Sequence, residues 1–163
     1  MMQEPEIRMC GEKKLVGLRI YTSLAEDNTI AMWQQFMPRR KEISNSVDEL
    51  LYSVQLFNGG LDVEEFTPKT VFEKWATMEV SDFETIPEGM TSFTLPAGLY
   101  AVFIYKGLNS AFFEAAQYMY GSWLPDSVYV LDDRPHFDVM GKKYLGPNNP
   151  ESEEEIWIPV KLR

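Results

Sequence analysis

Cysteine and histidine are all but missing from this chain: Cys10 and His136 are the only ones among 163 residues. A lone cysteine forms no internal disulfide and fits a reducing compartment. With a single histidine, the chain can supply neither a zinc-type Cys/His set nor a histidine-dependent triad. No apolar run approaches the roughly 20 residues that cross a bilayer as a helix, and the N-terminus lacks the basic-then-apolar order of a secretion signal. A cytoplasmic protein with no membrane association, no metal and no cofactor is expected. Basic residues are also few. Fifteen Lys and Arg stand against 25 Asp and Glu, a formal charge of −10, and Arg39-Arg40-Lys41 is the main basic run. Such a surface repels a phosphate backbone, so direct nucleic-acid binding is not expected.

What the chain does have is apolar material. Hydrophobic residues make up 45% and aromatics 13%, enough to bury the core of one domain over residues 1–163. The segment from Leu95 to Met140 organises the rest. Tyr100 to Tyr105 is β-branched and aromatic between Gly98 and Gly107, the pattern of a buried strand. Ser110 can cap a helix in which Phe112, Ala115, Ala116, Met119 and Trp123 recur at helical spacing until Pro125. Val128 to Leu131 and His136 to Met140 read as strands joined by the turn Asp132-Asp133-Arg134-Pro135. Alternation puts Asp138 on one face with His136 and Met140. A carboxylate facing an apolar surface is costly unless it is paired or wet.

The earlier part of the chain repeats that order. Ile7 to Cys10 can extend as an edge strand, and Leu15 to Tyr21 is a strand in which Gly17 marks a bulge or a close backbone approach. Asp27 or Asn28 can cap a helix carrying Ile30, Trp33, Phe36 and Met37, with Pro38 ending it and Arg39 to Ile43 as an irregular tail. Strands at Leu50 to Phe57 and Val71 to Val80 follow. Beyond the linker Asp82 to Met90, the chain enters the segment described above. The loop Tyr144 to Pro150 and the acid run Glu151 to Glu155, which reads as a solvated stretch, lead to a closing strand, Ile156 to Leu162. Leu15-Val16-Gly17 matches Val102-Phe103-Ile104, and Phe36-Met37-Pro38 matches Trp123-Leu124-Pro125, both displaced by 87 positions. Two half-domains are expected, over about 7–82 and 90–163.

Four pieces carry a resemblance: Leu95-Pro96-Ala97-Gly98-Leu99-Tyr100-Ala101-Val102-Phe103, Met119-Tyr120-Gly121-Ser122-Trp123-Leu124-Pro125-Asp126-Ser127, Pro135-His136-Phe137-Asp138 and Glu155-Ile156-Trp157-Ile158-Pro159-Val160. In this order and spacing they resemble the gyrase-inhibitor-like (GyrI-like) small-molecule-binding domain, which also forms the effector-binding half of some AraC-type and MerR-type regulators. The likeness runs from about Leu15 to Lys161. It implies an α+β fold of two strand-helix-strand-strand modules related by a pseudo-two-fold axis. A curved antiparallel sheet would carry both helices on one face, with ligands bound between them. The family usually has Glu where this chain has Asp138.

Tyr52, Trp75, Tyr105, Tyr120, Trp123 and Trp157 are the rings expected to wall such a slot, with Asp138 as its counter-charge. The expected ligand is a small hydrophobic cation or amphiphile, held for sensing or sequestration. The chain has no room for a helix-turn-helix segment, so any signal would pass to a separate regulator protein. The alternative is an enzyme: the resemblance extends to hydrolases of strained cyclopropane-type electrophiles. Glu79 or Asp138 would then be the general base, with Tyr52, Tyr105 or Tyr120 as a hydrogen-bond donor. A gyrase-modulating, protein-binding role is a third possibility.

Overall fold

The computed structural model describes residues 2–163. Nine strands and two main helices follow one another as β1 (Glu6–Cys10), β2 (Lys13–Thr22), α1 (Thr29–Phe36), β3 (Leu51–Leu56), β4 (Phe72–Val80), β5 (Thr91–Leu95), β6 (Gly98–Lys106), α2 (Phe112–Tyr118), β7 (Tyr129–Leu131), β8 (His136–Met140) and β9 (Glu153–Leu162). All strand pairings are antiparallel, in the order β1-β6-β9-β8-β3-β4-β2-β5, with β7 added onto β9.

The registers reveal the pseudo-two-fold axis, which passes between β3 and β8. Cys10 lies opposite Gly98 in the β1/β6 pair, and Leu95 lies opposite Lys13 in the β5/β2 pair. Each edge strand therefore serves the other half of the chain: β1 completes the second module and β5 the first. Asp138 faces Ser53 directly across the axis. The strand equivalences Cys10 with Leu95 and Ser53 with Asp138 are 85 positions apart, against the 87 read from the sequence. The larger value holds only for the Pro38/Pro125 pair at the ends of the helices.

Local chemistry explains each element. Gly17 is required on β2 because a Cβ there would sit 1.8 Å from the Ala76 carbonyl oxygen, so the backbone approach foreseen in the sequence is the reason for it. The Asp27 carboxylate accepts the Thr29 amide at 2.9 Å at the start of α1, satisfying a donor that the helix cannot use. After Phe36 the chain does not turn irregular. Met37–Glu42 winds into a tighter 3₁₀ turn with Pro38 at its beginning, where a missing amide proton costs nothing. The second helix continues past Tyr118 through one widened turn, Met119–Trp123, to Asp126, and Ser127 leaves it in extended conformation.

Both helices pack on the same face. Ala76, Ser53, Asp138 and Ile156 lie side by side across four strands and so share that face. Met32 and Phe36 of α1 pack with Val16, Ala76 and Met78, and Ala115 and Met119 pack with Phe103, Ile156 and Ile158. The other face buries a separate cluster with members from both edge strands and the centre: Cys10, Leu15, Tyr52, Trp75, Leu95, Tyr100, Phe137 and Trp157. A sheet whose first and last strands contribute to one cluster must be strongly curved, so that this face closes on itself.

Candidate functional site

On the helix-bearing face, α1 and α2 cover only the two flanks, and the central strands stay open between them. The result is a cleft of about 1050 Å³. Its floor is made by Leu51 and Ser53 of β3, Lys74 of β4, Asp138 and Met140 of β8, and Glu154 of β9. Ile30, Trp33 and Met37 form one wall, and the loop after β8 brings Tyr144 and Pro147 to the other. Met32 and Phe36 of α1 thus seal the helix to the sheet, while Trp33 and, just past the helix end, Met37 line the cleft.

Asp138 sits at the pseudo-axis beside Ser53 and Ile156. Glu154 is two residues before Ile156 on the same face, a diagonal neighbour of Asp138. Among the described residues, neither carboxyl has a hydrogen-bond donor or ion-pair partner. Desolvation pushes both above the ordinary carboxylate range. Asp138 raises Glu154 further by like-charge repulsion, and Lys74 pulls both back down. Lys74 is positioned by Gln55, whose amide, oriented to satisfy its neighbours, accepts from Nζ at 2.6 Å and donates to the His136 carbonyl at 3.3 Å. Burial pushes Tyr144 up to about 12, with Glu154 and Asp138 adding to the shift, so its hydroxyl keeps its proton at any ordinary pH.

The axis pairs these charges unequally. Gly17 lies opposite Thr77 and Val102 opposite Trp157, which makes Thr77 equivalent to Trp157 and hence Lys74 equivalent to Glu154. The first module contributes Ser53 and Lys74 to the floor; the second contributes Asp138 and Glu154.

Of the seven residues expected to line the slot, only Asp138 does so. The ring walls need correction. Tyr52 and Trp75 adjoin cleft-lining residues on their strands and Trp157 lies between Ile156 and Ile158, which pack under α2, so alternation turns all three to the opposite face. There Trp75 donates to Glu73 at 2.9 Å beneath Arg19, and Trp157 donates to Glu155 at 3.1 Å beneath Arg8. Tyr105, on the helix face, packs edge-on against Phe112 and donates to the Leu108 carbonyl. Trp123 packs edge-on against Phe103 and stacks on Tyr129. The Tyr120 hydroxyl lies 3.1 Å from Nδ1 of the buried His136, whose imidazole is pushed down to about 3 by desolvation. Glu79 also falls on the far face, bound to Lys13 at 3.3 Å, and cannot reach the cleft. The acid run is likewise more than a solvated stretch. Glu153–Glu155 begin β9, and counting back by twos from Ile158 and Ile156 reaches Glu154. The same count from Met78 and Ala76 reaches Lys74.

The model of the GyrI-like small molecule binding domain matches residues 3–161. The chain is 29% identical over 147 residues to the transcriptional regulator BrlR of Pseudomonas aeruginosa, covering 90% of this chain and 51% of that protein. It is 36% identical over 85 residues to a DNA gyrase inhibitor of Erwinia billingiae, covering 49% of this chain and 52% of the inhibitor. The chain thus spans about half the length of the curated relatives it matches. Among solved structures, SAV2435 bound to tetraphenylphosphonium superposes with a TM-score of 0.72 at 15% identity, covering 98% of this chain and 94% of that one.

Proposed function

Because the chain belongs to the GyrI-like small-molecule-binding family, we propose that it binds small hydrophobic cations or amphiphiles in the cleft between its helices, as a sensing or sequestering module. One observation carries this reading: a carboxyl without a hydrogen-bond or ion-pair partner, Asp138, stands on the floor of a roomy cleft whose apolar lining includes Trp33, Met37, Leu51 and Met140. In such a site an ionic attraction is several-fold stronger than in water, and the apolar body of the ligand adds about 25 cal/mol per Å² buried. The solved relative bound to tetraphenylphosphonium, a bulky apolar cation, supports the same ligand class. A thermal-shift titration with tetraphenylphosphonium or a rhodamine-type dye tests it. Binding to the native state alone raises Tm with ligand concentration, and Asp138→Asn removes most of the rise. An equal rise in the variant takes Asp138 out of the site.

The raised carboxyl pair also favours a second reading, hydrolysis of a strained cyclopropane-type electrophile. A carboxyl poised near neutrality suits a general base. That base would be Asp138 or Glu154, not Glu79. Consumption of such an electrophile, lost in both Asp138→Asn and Glu154→Gln, distinguishes turnover from binding.

A further inference from the structure

The cleft floor holds a feature that a generic cation site does not need: two carboxyls, Asp138 and Glu154, on adjacent strands, open to one cavity and without donors of their own. Rings, by contrast, are sparse, since Trp33 and Tyr144 are the aromatic side chains in the lining. A cation without N–H groups gains from aromatic faces through the ring quadrupole. It gains nothing directional from carboxylate lone pairs. An ammonium group is the opposite case: its hydrogens make charge-assisted bonds to carboxylates about twice as strong as neutral ones. The surrounding charges balance for such a group. Lys74 offsets one of the two carboxylates, and at the rim Arg40 and Lys142 stand against Asp48 and Glu49. With both floor carboxyls ionised, the floor carries one net negative charge, which one ammonium neutralises. Nearby His136, buried and neutral, adds none.

Resting on the proposed cation-binding function, we propose that this cleft selects amphiphilic primary or secondary amines over quaternary cations of the same size, with Asp138 and Glu154 as joint acceptors and Glu154 as the residue that sets the preference. The ammonium head lies between the two carboxyls, and the apolar tail runs along Trp33, Met37 and Met140. Asp138, at the axis, attracts any cation; Glu154 supplies the second directional bond. Within the pseudo-two-fold arrangement Glu154 occupies the place that Lys74 takes in the other module, so the second carboxyl breaks the symmetry of the floor.

Isothermal titration of the whole chain with decylamine and with decyltrimethylammonium, both below micelle-forming concentrations, tests the preference at fixed tail length. The expected result is an amine bound at least about tenfold more tightly. In Glu154→Gln, checked for an unchanged Tm without ligand, the ratio falls to threefold or less, while the trimethyl compound loses less affinity than the amine. Equal or tighter binding of the trimethyl compound by the unmodified chain overturns the selectivity and leaves cation binding intact. Failure of both probes to bind overturns the cation reading and the selectivity together.

Discussion

The two faces of this sheet use the same residue types to opposite ends. On the far face, Tyr52, Trp75, Tyr100 and Trp157 are buried, and each has a cation over its ring: Lys13 at 5.7 Å, Arg19 at 5.6 Å, Arg134 at 4.7 Å and Arg8 at 4.8 Å. Those cations are themselves paired with Glu79, Glu73, Asp132 and Glu155. Each of these four rings thus has a cation over it, and each of those cations has a carboxylate partner from the same chain. The helix face has fewer rings in its cleft, and its two floor carboxyls lack partners. Aromatic density therefore marks the part of the molecule that is finished, and unmatched charge marks the part left open for something else.

Substitutions on the two faces should separate stability from binding. The largest effect is expected from Tyr100→Ala, which empties a fully buried site and removes the 2.8 Å hydrogen bond to the Pro135 carbonyl. A loss of about 3–5 kcal/mol is expected in urea unfolding, with cation affinity of the folded fraction unchanged. Asp138→Asn should do the reverse: unfolding free energy within about 1 kcal/mol of the parent or higher, and cation affinity down at least about tenfold. If Asp138→Asn instead lost stability and kept its affinity, the distinction between the faces would be erased.

Acid-base behaviour sharpens the comparison. Asp138 and Glu154 have folded-state pKa values above their unfolded ones, so the native state holds protons that the unfolded chain releases. Their contribution to stability is thus greatest at low pH and is lost as pH rises from about 4 through neutrality. A bound cation favours the ionised carboxyls, so its affinity should rise over the same interval. His136 works in the other direction. Held neutral by burial, with its pKa pushed down to about 3, it contributes stability that is complete above about 6.5 and lost as pH falls toward 3. Unfolding measured from pH 4 to 8 should show these opposed slopes. Asp138→Asn should flatten the descent on the alkaline side, and an unaltered slope would mean that the carboxyl pair does not titrate there. The smallest effect is expected from Lys74→Met, a few-fold gain in cation affinity as one repelling charge leaves the floor, read by the same titration; a loss would show Lys74 to be a ligand contact.

Much of this was legible in the chain. The strand-helix-strand-strand order and the placement of Asp138 with His136 and Met140 follow from apolar periodicity, and the antiparallel α+β sheet is what the family resemblance implies. Which face each strand shares with its neighbours did not follow. Alternation within β4 says that Lys74 and Trp75 point apart, but only the Ser53-to-Asp138 and Ser53-to-Ala76 register says which of them joins Asp138. Register is set by long-range pairing and turn geometry, so residue type alone does not say which aromatics reach the slot. Glu154 was hidden differently. It sits in a run of acids that reads as solvated, and only continuing the alternation of Ile156 and Ile158 backward brings it to the cleft floor.

The central claim is that the open cleft, and not the aromatic face, receives a cation beside Asp138. A crystal structure of the chain soaked with a hydrophobic cation containing a heavy atom, such as a brominated tetraphenylphosphonium, measures this directly. The account predicts the ligand between α1 and the loop after β8, with its charged centre within about 5 Å of the Asp138 carboxyl, the range over which an opposite charge acts strongly on a carboxylate. Density for the cation against Trp75 or Trp157 on the far face, with the cleft unoccupied, would contradict it.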